Sequence, residues 1–129
     1  MADAELVVDH ASIGYGGRPV VEDLSLAIPR GGFTALLGPN GSGKSTILRS
    51  LAGLHPLAAG AVLLDGQPIA GLPAKAVARR IGFLAQGATA PDGLTVEDLV
   101  RQGRYPHRRL LGGWTAADRA AVDEAMALT

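Results

Sequence analysis

The chain has 129 residues, enough for one domain or part of one, and its 12 Lys and Arg balance 12 Asp and Glu to a formal net charge of +0. That balance excludes a broad electrostatic attraction to nucleic acid or to anionic lipid. Cysteine is absent, which excludes disulfide scaffolds, thiolate metal sites and cysteine nucleophiles together and fits a reducing compartment.

The opening "MADAELVVDH" is acidic where a secretory signal is basic. No run approaches the roughly 18 apolar residues of a membrane span, so the chain reads as cytosolic. "ELVVDHASIGYGG" and "VVEDLSLAI" alternate loosely and are punctuated by glycine turns, which predicts two strands of a partly exposed antiparallel sheet. "FTALLG" is different: residues 33–37 are nearly all apolar, as in a strand buried on both faces of a parallel sheet. "KSTILRSLA" follows, with Ile47, Leu48, Leu51 and Ala52 on one side of a helix and Gly53 as its stop. "AVLLDGQPI" predicts a hairpin turning at Asp65-Gly66. "PAKAVAR" is a short helix with Pro73 in its first turn, and "IGFLAQ" is a further strand. "TVED" and "TAAD" each offer a capping threonine with an acid three residues on. The helix after the second keeps Val122, Ala125 and Met126 on one face up to the end at Thr129. No repeat, low-complexity tract or linker interrupts this order.

Between the apolar run and the first helix, Gly38 to Ser45 reads "GPNGSGKS", which fits G-x-x-x-x-G-K-S/T in the strand-to-helix context that gives the pattern meaning. Backbone N–H groups converge on an anion only where side chains do not obstruct the approach, and Gly41 and Gly43 remove that obstruction. The helix start adds unpaired N–H groups and an effective charge of roughly +0.5. The ligand that fits is a nucleotide triphosphate. Lys44 reaches the β and γ phosphates, the Ser45 hydroxyl completes the shell of a Mg²⁺ ion held mainly by phosphate oxygens, and Thr46 donates to the α phosphate.

With these residues placed, the sequence resembles the ATP-binding subunit of ATP-binding cassette (ABC) transporters from about Glu5 onward. "GPNGSGKST", residues Gly38, Pro39, Asn40, Gly41, Ser42, Gly43, Lys44, Ser45 and Thr46, looks like the family's phosphate loop, and "LDGQPI" resembles the hairpin that follows it. The resemblance implies that Tyr15, in "IGYGG", stacks on adenine, a contact that tolerates any base. It also implies that Gln86, closing "IGFLAQ", contacts Mg²⁺ or the attacking water and begins a segment that touches the membrane subunit. "LTVEDLVRQGRYPHRR" is similar to the branch serving importers of iron chelates, haem and cobalamin. Its Arg101, Arg104, Arg108 and Arg109 face either anionic groups or, as charge runs more often do, solvent. The family context favours a protein partner there over nucleic acid. His10, His55 and His107 make no metal-ligand spacing and receive no role.

The fold implied is α/β, the N-terminal part of a P-loop NTPase of the ABC ATPase type. It comprises an antiparallel β subdomain, an incomplete parallel-sheet core and the start of the helical subdomain, all within residues 1–129 of one domain. The family's acidic pair after a second buried strand, its glycine-rich signature and its later histidine are not found. Asp65 imitates the acidic position, but Gly66 stands where the family's glutamate belongs, and the hairpin puts Asp65 in a turn. The expectation is a truncated chain that grips ATP and Mg²⁺ without hydrolysing ATP alone, and that exposes one side of its sheet at the expense of solubility. The full-length protein implied is an ATPase at the cytoplasmic face of the membrane, working as two copies with membrane-spanning permease subunits. The competing readings are a nucleotide-binding module that never hydrolyses and a different phosphate-loop enzyme such as a small-molecule kinase.

Overall fold

The loose alternation of the first strand has a physical cause. In the computed structural model, which describes residues 4–128, β1 (Ala4–Tyr15) and β2 (Arg18–Pro29) pair antiparallel. They join through Gly16 and Gly17, whose φ values of 55° and 80° suit a two-residue hairpin turn. β1 gains a residue at His10 (φ 45°), and β2 gains one near Asp23 (φ 49°). Each bulge shifts the strand by one position, which is why Val8, Ala11 and Ile13 of β1 are all buried despite their uneven spacing. In β2 the same shift aligns Val21 with Leu24, Leu26 and Ile28, all packed against the core. The bulges are tied together: His10 Nδ1 lies 2.6 Å from Asp23 Oδ1, and the Asp23 carboxylate raises the His10 pKa. The acidic start, Met1 to Asp3, and Thr129 lie outside the described residues.

The chain divides into two units, Met1–Phe83 and Leu84–Thr129. In the first, the sheet order is β2-β1-β3-β4, with β3 (Ala59–Leu64) and β4 (Gln67–Pro68) forming the expected hairpin. Asp65 and Gly66 occupy its turn at φ 48° and 81°. One face of the sheet is covered by α1 (Lys44–Leu51) and α2 (Ala74–Arg80), so that Val8, Ile13, Val62 and Leu64 meet Ile47, Leu51 and Val77. Burying Ile47 or Leu51 stabilises by about 1.5 to 3 kcal/mol each. The buried stripe of α1 is Thr46, Ile47, Ser50 and Leu51. The expected stripe is thus rotated, and Leu48 is 47% exposed, because the small Thr46 and Ser50 side chains let the helix lie close to the sheet. The helix ends as expected at Gly53 (φ 76°), with Gly53 N donating to Ser50 O at 3.1 Å and Leu54 N to Arg49 O at 2.8 Å.

The expected parallel-sheet strands do not form. Residues 33–37 and 81–86 take no part in any sheet ladder among the described residues, Phe33 is 95% exposed, and Leu84 is 90% exposed. A strand of this type is stable only between hydrogen-bonded neighbours and under covering layers, and no described segment supplies them. Leu36 alone in the first run packs against the core.

In the second unit, α3 (Val96–Arg101) starts with a full capping box between Thr95 and Asp98. α4 (Ala116–Leu128) starts likewise: Thr115 N donates to Asp118 Oδ2 at 3.0 Å, and Asp118 N donates to Thr115 Oγ1 at 3.2 Å. Val122 is buried and Ala125 and Met126 are half-buried, the face that the sequence indicates. Arg104 Nε donates to the buried Asp118 at 2.8 Å, and Arg101 lies over the Trp114 ring at 4.4 Å. The arginine run therefore includes internal partners as well as exposed positions.

The Thr115 amide and then Arg104 hold the Asp118 carboxyl down at about 2, from an ordinary 3.8. A carboxylate lowered on folding stabilises above its unfolded pKa and loses that contribution as pH falls through the folded one. Trp114 fluorescence should therefore report loosening of this unit as pH drops from about 4 toward 2, and Asp118→Asn should flatten that dependence. Thr115→Ala, which removes the cap, should cost about 1 kcal/mol in chemical unfolding.

Candidate functional site

Residues 38–43 turn sharply ahead of α1, with Ser42 N donating to Pro39 O at 3.2 Å. Gly41 and Gly43 have φ values of 83° and 94°, the left-handed region that glycine enters without steric cost. They differ in surroundings. A Cβ at Gly41 meets nothing within 4 Å, whereas one at Gly43 would stand 2.9 Å from Val20 Cγ1 and 3.1 Å from Val21 Cγ2. Gly43 thus serves the seating of the helix start on β2 as well as the opening of the loop. Gly38 is also confined, since a Cβ there would lie 2.8 Å from Ser42 Oγ.

The helix start is electrostatically prepared for an anion. Gly43 supplies no side-chain cap, the first turn has no acidic residue, and the first intrahelical bond is Ile47 N to Gly43 O at 2.9 Å. The amides of Lys44, Ser45 and Thr46 precede that bond and have no helical acceptor. The Lys44 ammonium folds back onto the loop, donating to the Gly38 carbonyl and, at 3.1 Å, to the Pro39 carbonyl. Neither is a carboxylate, so the lysine charge is not neutralised by these contacts. Loop glycines, free amides and an unneutralised cation fit a polyphosphate. Ser45 is exposed beside them and offers a single neutral oxygen, so a cation there would take most of its ligands from phosphate. Among the described residues, no group of three or more His, Cys, Asp or Glu is placed to hold a metal by itself.

Tyr15, at the end of β1, is brought to the same helix. Its hydroxyl lies 3.2 Å from Thr46 Oγ1, and its ring centroid lies 4.5 Å from that of His55, tilted by 48°. His55 Nε2 donates to the Gly14 carbonyl at 3.0 Å. Sequence reasoning gave His55 no role. No local signal marks it, because it meets Tyr15 only through the fold. Gln86 belongs to the second unit, where it stands exposed in a turn closed by Ala88 N donating to Ala85 O at 3.3 Å. That turn replaces the expected strand end.

Asp65 sits in the hairpin turn, as the sequence indicates. It accepts from Arg30 and, at 2.6 Å, from Arg80, while Glu5 accepts from the same two arginines at 3.3 and 3.4 Å. The Arg80 hydrogen bond, with Arg30 beside it, lowers the Asp65 pKa. This carboxylate closes a surface network between strand ends and α2 and is committed to two cations.

The sequence profile of the ABC transporter family matches residues 21–129. The chain belongs to the ABC transporter family. It is 46% identical over 129 residues to the probable siderophore transport system ATP-binding protein YusV of Bacillus subtilis (strain 168), covering 100% of this chain and 47% of that protein. It is 50% identical over 126 residues to the ferric enterobactin transport ATP-binding protein FepC of Escherichia coli (strain K12), covering 98% and 46%. Among solved structures, an ATP-binding subunit of an ABC transporter superposes with a TM-score of 0.71 at 29% identity, covering 87% of this chain and 44% of the other. The chain spans about half the length of the curated relatives it matches.

The two glycines Gly41 and Gly43 should respond differently to substitution. Gly41→Ala carries only the left-handed backbone strain, about 1 to 2 kcal/mol. Gly43→Ala adds the collision with Val20 and should destabilise the first unit by a further 1 kcal/mol or so, measured by urea unfolding.

Proposed function

We propose that this chain is the nucleotide-gripping part of an ABC transporter ATPase, the N-terminal part of one such domain. The full-length subunit, in this reading, couples ATP binding and hydrolysis to import of a metal chelate of the iron-siderophore, haem or cobalamin type. The observation that carries the reading is the glycine loop at a helix start with no acidic residue in its first turn, with Lys44 donating to the main-chain carbonyls of Gly38 and Pro39. The cargo class is supported by relatives named for siderophore, ferric enterobactin and hemin transport. No described helix is long and apolar enough to cross a membrane. This suits a peripheral subunit at the cytoplasmic face that works with membrane-spanning permease subunits and a second copy of itself.

ATP with Mg²⁺ supplies the γ-phosphoryl group for in-line attack by water. The chain's residues bind and orient it. The loop amides surround the β phosphate, and Lys44 exchanges the Gly38 and Pro39 carbonyls for β- and γ-phosphate oxygens, where its charge offsets the charge spread in the transition state. Ser45 would complete the shell of Mg²⁺, Thr46 would donate to the α phosphate, and Tyr15 would stack on the base. Asp65 takes no part, since two arginines already hold it in its turn. The chain by itself is therefore expected to bind without turnover, while the exposed apolar runs at 33–37 and 81–86 would find ladder partners in the full-length subunit.

Calorimetry of the chain with magnesium-ATP should give saturable binding that Lys44→Ala weakens by about 10- to 100-fold. Phosphate release should stay at background. Sustained release by the chain alone would overturn the assignment of its missing catalytic parts, and absence of binding by the folded chain would overturn the phosphate loop.

A further inference from the structure

A tyrosine that receives a base must be held ready for it. Tyr15 stands at a strand end with 47% of its surface exposed, and a side chain so placed loses rotamer freedom when a ligand stacks on it. Two contacts remove that freedom in advance. The His55 ring packs against one side of the Tyr15 ring at 4.5 Å, and the Tyr15 hydroxyl meets Thr46 Oγ1 at 3.2 Å.

His55 is fixed in turn. Its Nε2 bonds the carbonyl of Gly14, the neighbour of Tyr15, at 3.0 Å. A carbonyl only accepts, so Nε2 carries the proton and the ring orientation is set. The backbone that delivers His55 is fixed by the closure of α1, through Gly53 N to Ser50 O and Leu54 N to Arg49 O. One helix therefore organises both ends of the candidate ligand: its start faces the phosphates, and the segment leaving its end braces the ring that would meet the base.

We propose that His55 is a positioning residue of the base subsite, bracing one side of Tyr15 and leaving the opposite side to stack on a nucleobase. This rests on the nucleotide-binding reading of the loop. It makes a prediction that reading does not make, because bracing Tyr15 matters only for ligands that carry a base.

The test is calorimetry of the chain with magnesium-ATP and with inorganic tripolyphosphate plus Mg²⁺, for the wild type and for His55→Ala, His55→Phe and His55→Leu. Expected is a loss of ATP affinity of about fivefold in His55→Ala, with tripolyphosphate affinity unchanged. His55→Phe, which keeps the ring contact, should recover most of it. His55→Leu keeps the bulk without the aromatic face and should show the ATP-specific loss even if the alanine variant does not fold. Equal losses for both ligands, or no loss for either, would overturn the positioning role while leaving the phosphate loop intact. A wild type that binds tripolyphosphate as tightly as ATP would overturn the base contact itself, and a folded wild type that binds neither would overturn the loop reading on which both depend.

Discussion

The site in the first unit depends on how closely the start of α1 can approach the sheet. Gly43 lies against Val20 and Val21 where a methyl group would collide, and its φ of 94° turns the loop into the helix without strain. Behind it, Thr46 and Ser50 keep the buried stripe thin, so Ile47 and Leu51 reach the interior formed by β1 and β3. These contacts fix the direction of the helix axis. The direction of the axis fixes where the free amides of the first turn point, and therefore where an anion is stabilised.

The sheet answers the helix with a matched irregularity. The bulges at His10 and Asp23 are paired across β1 and β2 and tied by a histidine-carboxylate contact. Gly60 of β3 lies where a Cβ would fall 2.2 Å from the His10 carbonyl. Bulges increase local twist and re-aim the residues that follow. Here they put Ala11 and Ile13 on the core face and carry β1 onward to Tyr15, which meets Thr46 and His55. A regular strand of the same length would turn the opposite set of side chains inward.

Charge is used differently in the two units. In the first, Asp65, Arg30, Arg80 and Glu5 form an exposed network whose members satisfy one another. It anchors a turn, whereas Lys44, beside the loop, donates to the carbonyls of Gly38 and Pro39, contacts that leave its charge unneutralised. In the second, Asp118 is buried and fully engaged by Thr115 and Arg104. A short helical unit with little apolar interior gains definition from such a cap, because each bond satisfies a backbone group that the helix start leaves open.

Local chemistry was legible from the residues alone. The Gly16-Gly17 and Asp65-Gly66 turns, the stop at Gly53, the caps at Thr95 and Thr115, and the helix start at Lys44 depend on interactions spanning a few residues. Glycine φ, side-chain capping and helix polarity settle those wherever the segment sits. Tertiary structure decided the rest. The apolar runs at 33–37 and 81–86 have the composition of buried strands, but a strand exists only when another strand accepts its hydrogen bonds, and composition cannot report whether the partner is there. The rotation of α1 that exposes Leu48, the bulges that set the phase of β1, and the meeting of His55 with Tyr15 arise from packing between distant segments, where the fit of surfaces outweighs the preference of any single residue.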